Sequence, residues 1–234
     1  MLACALPGES DLRRQFMGVD WMPAHPRVMQ VLAEDVRLVQ IVDRAFAETS
    51  AKSGAHLACR PGCTQCCHGA FAINALDALR LRAGMRALHA EKPALAAAVE
   101  ARAIAYLDEF CADFPGDSAT GILGESEEAQ AAFDDFANHA PCPALNPDSG
   151  LCDVYVSRPM TCRVFGPPVR SEDGLAVCEL CFTTAAPEEI ASCEMALPHD
   201  EEERLLAVVH EQGAVRGQTI VAFCLLPPDG TTAS

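Results

Sequence analysis

The chain is poor in aromatic rings, poor in basic residues and without any long apolar run. Aromatic residues make up 6% of it, too few to furnish the stacking platforms that single-stranded nucleic acids use. Lysine and arginine number 17 against 33 aspartates and glutamates, for a formal charge of −16. A surface of that sign repels phosphates, which excludes nucleic acid and anionic membrane faces as partners. No stretch reaches the roughly 18 uncharged apolar residues of a membrane-spanning helix; the most apolar segment, 217–228, contains Gln218 and Thr219 and stops far short. Around Cys4 the chain faintly resembles a lipoprotein cleavage site, but no charged region and apolar run precede it. Phosphate-binding loops of the Walker type and the Gly-x-Gly-x-x-Gly fingerprint are missing as well.

Cysteine is abundant instead: 13 residues, at 4, 59, 63, 66, 67, 111, 142, 152, 162, 178, 181, 193 and 224. An odd count argues against a complete disulfide framework. Together with the missing targeting segment it points to the reducing cytoplasm, where clustered cysteines bind metal or do redox work.

The periodicity predicts a mainly α fold, a helical scaffold holding irregular cysteine-rich loops. Residues 1–24 read as an irregular lead-in, and 25–234 as one metal-binding domain with its cysteine core at about 59–181. Helices are expected over 26–51, 72–89, 93–114, 126–139 and 200–214. In the first, Val28, Leu32, Val39, Val42 and Phe46 form the apolar stripe, with Glu34, Asp35, Arg37 and Arg44 largely off it. In the third, Leu95, Val99, Tyr106, Leu107 and Phe110 face the core, Pro93 fits the first turn, and Cys111 is a small core residue. Phe133 and Phe136 point inward from the fourth. Asp200 with Glu203 has the form of a capping box for the last. The stretch 140–179 carries six prolines and four cysteines, so hydrogen-bonded secondary structure alone is not expected to hold it together.

The densest cluster is Cys59-Arg-Pro-Gly-Cys63-Thr-Gln-Cys66-Cys67-His68-Gly69. Cysteines two residues apart can close on one ion, since a tight turn points both thiolates the same way and aims backbone N–H groups at the sulfurs. Adjacent side chains normally diverge, so Cys66 and Cys67 share an ion only in a bent backbone, or else serve two metals. Cys142, Cys152 and Cys162 follow, each gap holding nine residues, and Cys178-Glu-Leu-Cys181 repeats the two-residue spacing. Nine candidate ligands exceed the four thiolates of one tetrahedral zinc or one four-iron cluster, which suggests a multinuclear site, two sites, or one site plus redox thiols. Cys4, Cys193 and Cys224 read as bystanders, and His68 as a solvated loop histidine that could ligate.

Several motifs together resemble the YkgJ-type cysteine-cluster family, the zinc- or iron-chelating CxxCxxCC domain. The matching pieces are Cys63-x-x-Cys66-Cys67, Cys142-Pro-Ala-Leu145, Cys152-Asp-Val-Tyr155, Arg158-Pro159 and Cys162-Arg163-Val-Phe165. The likeness spans about 59–181 and implies a bound metal ion, zinc or iron, including an iron–sulfur cluster. Cys59 departs from the family spacing, since three residues separate it from Cys63. Arg158 and Arg163 flank the second cluster and would offset the negative charge of bound thiolates. A flagellin lysine N-methylase resembles this chain in the same motif and is associated with an iron–sulfur cluster, so an iron–sulfur enzyme of methyl-transfer or redox type is the alternative. A thiol redox protein using Cys178 and Cys181 is the second; thioredoxin-like pairs, however, belong to a βαβ setting that this helical pattern lacks.

Overall fold

A computed structural model describes residues 26–171, 174–212 and 216–226. The expected lead-in over 1–24, Cys4 and the end of the last expected helix lie outside the described residues. Among the described residues the fold is mainly helical, as the periodicity implies, with three short two-stranded antiparallel ladders. Among the described residues no helix is long and apolar enough to cross a membrane.

Helix α1 (Pro26–Ser53) starts on the proline that fits a first turn and packs against four later elements. Its buried stripe runs through Val28, Val31, Asp35, Leu38 and Val42. That corrects the sequence reading at Asp35, which is 2% exposed. A carboxylate is tolerated there because Arg80 donates Nε–H to it at 2.8 Å and a second N–H from Nη2.

Helix α2 (Ala75–Glu91) begins three residues later than expected. Ala72–Ile73 instead form strand β1, which pairs antiparallel with a C-terminal strand, Ala72 opposite Ile220 and Ile73 opposite Thr219. The Asn74 side chain then caps the helix by accepting the Asp77 N–H at 3.0 Å. This helix is the centre of the molecule. Leu76 and Leu79 bury against α1, whereas Leu81 and Met85 bury against the next helix. With apolar contacts on two sides, its sequence shows little amphipathic period.

Helix α3 (Pro93–Phe110) runs back alongside α2 and buries Ala96, Val99, Ala103, Tyr106 and Leu107. A 3₁₀ turn over Cys111–Asp113 continues it; Cys111 is buried there as expected, but disulfide-bonded rather than a plain small core residue. After the short ladder of β2 (Gly116–Asp117) and β3 (Ile122–Leu123) comes α4 (Glu127–Asp135), capped by the Ser126 hydroxyl. It ends before His139 because Ala137 takes a left-handed conformation, φ 51°. Phe133 and Phe136 do turn inward, joining Phe110, Phe114 and Phe223 in a cluster of edge-on rings, with Phe133 stacked on Phe136.

The remaining elements are α5 (Met160–Val164), the hairpin β4 (Val169–Ser171) with β5 (Gly174–Ala176), α6 (Pro187–Ser192), α7 (His199–Glu211), β6 (Thr219–Ile220) and α8 (Val221–Cys224). Helix α7 begins one residue before Asp200, and the expected capping box does not form. The Pro198 carbonyl instead accepts the N–H groups of Glu201 and Glu202, which draws Asp200 into the first turn. Its carboxylate still lies near the positive end of the helix dipole.

One polar network ties this scaffold to the cysteine loops. Asp77 accepts an Arg80 N–H and also the backbone N–H of Met160 at 2.9 Å, two residues before Cys162. Replacing Arg80 with leucine would leave Asp35 and Asp77 buried without their counter-charge. The expected cost is about 3–5 kcal/mol, read as a lowered urea midpoint with an unchanged slope; a loss below about 1 kcal/mol would contradict the role given to this residue.

Candidate metal centre

Two loops that are far apart in sequence are laced together by their backbones. Gly69 donates its N–H to Ala140 O at 3.0 Å, and Cys142 donates to Cys67 O at 2.7 Å, around an isolated bridge between His68 and Pro141. The stretch 140–179 thus has more hydrogen-bonded order than its proline content suggests. Leu145 and Cys152 form a second bridge, and Asp153 donates to Ala144 O at 2.9 Å. From α3, Arg102 reaches both ends of this loop, donating Nε–H to Pro143 O at 2.8 Å and Nη2–H to Asp153 at 2.6 Å. Helix α5, held through Met160 by Asp77, presents Cys162.

The nine candidate thiols fall into two groups. Cys66, Cys67, Cys142, Cys152 and Cys162 make up the first. Cys66 and Cys67 lie in a 3₁₀ turn over Gln65–Cys67, the bent backbone that adjacent thiols need in order to meet, and they hydrogen-bond to each other. Donation from Cys67, helped by the nearby Arg158 charge, draws the Cys66 thiol down to about 6. The same bond pushes the Cys67 thiol up, reinforced by burial and by Cys142 and Cys152. Burial pushes Cys142 up to about 12, and it raises Cys152 and Cys162 as well.

The second group is Cys59, Cys63, Cys178 and Cys181. The Cys59 thiol donates to Phe165 O at 3.8 Å; burial, then the neighbouring sulfurs of Cys181, Cys63 and Cys178, push it up to about 12. The Cys59 sulfur packs directly over Gly166, where a Cβ would stand 2.4 Å from it at a φ of +122°. Only glycine fits there. Ala58 donates its N–H to the Cys181 sulfur at 3.4 Å.

Backbone donors are aimed at other sulfurs too. The backbone N–H groups of Ala144, Val154 and Leu180 lie beside the sulfurs of Cys142, Cys152 and Cys178 and favour their ionised forms, while Leu145 gives its N–H to the Cys142 carbonyl at 2.8 Å. An N–H two residues beyond the cysteine stabilises a thiolate and is the arrangement a metal-binding turn supplies. Among the described residues no three Cys, His, Asp or Glu side chains form a ready-made metal cage. The donor set nonetheless fits a thiolate-bound metal, being all sulfur, crowded and supplied with N–H donors.

The flanking arginines differ. Arg158 lies 3.8 Å over the Tyr155 ring and near Cys66 and Cys152, with its Nε–H buried and without a hydrogen-bond acceptor. Arg163 instead reaches Asp43 at 3.0 Å and the carbonyls of Val156 and Arg158. It therefore braces the backbone that carries Arg158. His68 is exposed, its Nδ1 3.0 Å from Thr64 O. Cys224 is fully buried, with its thiol hydrogen-bonded to Arg82. Cys193, read from sequence as a bystander, packs in the same apolar cluster as Cys178 and Cys181. The positioning roles of Gly166, Arg102 and Asp77 escaped the sequence reading. A glycine directly after Cys-Arg-x-Phe was the one visible signal.

A family model, CxxCxxCC, described as a putative zinc- or iron-chelating domain, matches residues 58–182. That is more than half of the chain, and the protein belongs to this family. No curated protein and no solved structure matches it.

The raised thiols have a consequence for the metal-free protein. Cys59 and Cys142 ionise near 12 in the folded chain against an ordinary value of 9.0, so above pH 9 the unfolded chain sheds protons that the folded chain retains. Metal-free protein should therefore lose stability as pH rises from 9 towards 12. Thermal unfolding across that range checks this; a flat melting temperature would contradict the burial of these thiols.

Proposed function

We propose that this protein chelates zinc or iron in the cytoplasm through thiolates of its two cysteine loops. The observation that carries the reading is the set of backbone N–H groups directed at cysteine sulfurs on loops with little regular structure of their own. Within it, Cys66, Cys67, Cys142, Cys152 and Cys162 are the ligand pool of an iron–sulfur or multinuclear centre. Five crowded thiols suit several metal ions better than one closed zinc, which takes four. Arg158 supports this, since its charge faces Cys66 and Cys152 and would offset the excess of thiolates. Arg163 contributes by fixing the Arg158 carbonyl. A redox role for Cys178 and Cys181 finds less support: the pair sits in a turn after strand β5, with Cys181 N–H donating to Cys178 O at 2.8 Å and no helix starting there.

Protein purified without oxygen should contain stoichiometric metal and, for an iron–sulfur centre, acid-labile sulfide with visible absorbance. Replacing Cys66 or Cys67 singly with serine should bleach that absorbance. Colourless protein holding one zinc that survives both replacements would refute the multinuclear reading. Protein that takes up neither metal, with every thiol open to alkylation, would refute chelation itself. Loading should also fall steeply on acidification and release protons, because protonated thiols must ionise to bind.

A further inference from the structure

We infer that Cys59, Cys63, Cys178 and Cys181 form a second, independent metal centre, which takes a single tetrahedral divalent ion of the zinc class. The inference rests on the proposed thiolate chelation and divides it between two sites.

Five observations hold this group together and set it apart from the five-thiol one. Cys59, Cys178 and Cys181 pack in one apolar cluster with Phe182, Cys193, Leu57 and Phe165, whereas Cys142 and Cys152 pack on a different cluster, against α2 and α3. The Cys59 sulfur lies over Gly166, and Cys178 donates its N–H to Gly166 O at 3.3 Å, so one glycine positions members of both pairs. Ala58 N–H points at the Cys181 sulfur, which binds the segment before Cys59 to the second pair. Gln65 donates to the Glu179 side chain, closing the 60–65 turn over the 178–181 turn. Cys63 N–H also bonds to Arg60 O at 2.9 Å, with Gly62 in the left-handed region at φ +86°, so the three-residue spacing makes a tight turn just as the two-residue spacing of Cys178 and Cys181 does.

The ligand count fits the assignment. Four thiolates complete a tetrahedral site with no open position, the arrangement of structural zinc. Zinc has no d-electron preference and accepts the unequal spacings of the two pairs. Such a centre would fasten the end of α1 to the segment after β5, more than a hundred residues further along the chain. The run of cysteines that names the family is then shared out: Cys59 and Cys63 to one centre, Cys66 and Cys67 to the other.

Cobalt(II) titration of the full metal-free chain, without oxygen, tests this, because cobalt thiolates report tetrahedral geometry by their visible bands. Wild type should saturate at no fewer than two equivalents. The double replacement Cys178→Ser with Cys181→Ser should lose one equivalent, and Cys152→Ser with Cys162→Ser should retain one with a tetrahedral spectrum. Should a variant not fold, pulsed alkylation of zinc-loaded wild type under a competing chelator gives the same information. There Cys59, Cys63, Cys178 and Cys181 should become reactive together, in a phase distinct from the other five. Saturation at one equivalent, or a single phase for all nine thiols, would overturn the second centre while leaving chelation intact. Wild type that binds no cobalt and no zinc would overturn both.

Discussion

The molecule depends on the backbone lacing between residues 67–69 and 140–142. Two hydrogen bonds, Gly69 N–H to Ala140 O and Cys142 N–H to Cys67 O, bring together loops separated by the three helices α2, α3 and α4. Closing so long a loop costs entropy that two such bonds do not repay. The cost is met by what lies on either side. Helices α2 and α3 form a rigid floor through leucine and alanine packing, and Arg102 pins the second loop to that floor at both ends. Without the helices the thiols would have no common frame.

The helical part was readable because burial repeats with the helical period, and it was misread where a charge is buried. Asp35 lies on the inner stripe of α1, yet a carboxylate in a periodic pattern reads as surface. Only its partner Arg80, 45 residues away, makes the position tolerable, and no local pattern reveals that pair. The start of α7 shows a smaller version of the same problem. Asp200 and Glu203 have capping spacing, but Pro198 lets the helix begin earlier. The cysteine loops were recognisable from the ordered motifs between Cys63 and Phe165. How the thiols divide was not, because spacing along the chain carries no information about which turns meet in space. Cys59 illustrates this: its spacing sets it apart from the family register, and the structure brings its sulfur to Cys181.

Crowding so many thiols has an electrostatic limit, and the structure shows how it is met without metal. If Cys66, Cys67, Cys142, Cys152 and Cys162 were all ionised, their mutual repulsion in a partly buried site would far exceed what the one guanidinium beside Cys66 and Cys152 offsets. Protons resolve the conflict. Cys66 alone is drawn down, and its neighbour Cys67 keeps the proton that hydrogen-bonds to it. Burial holds the rest neutral. Backbone N–H groups meanwhile stay directed at Cys142, Cys152 and Cys178, where they stabilise negative charge that the protonated thiols do not yet carry.

That mismatch bears on function. Donors preset for thiolates, around groups that burial keeps protonated, describe a site whose charge balance is completed only by a cation. The whole-chain charge of −16 works in the same direction, since an acidic surface raises the local concentration of cations rather than of anions. Arg158 is the exception. It is held over Tyr155 by a contact that leaves its Nε–H free, on a backbone braced by Arg163 against Asp43. A fixed positive charge beside sulfur ligands would weaken binding of a lone divalent ion. It becomes favourable where the thiolates outnumber the charge of the metal they hold: four on a divalent ion already leave a net charge of about −2, and a fifth sulfur adds to that excess.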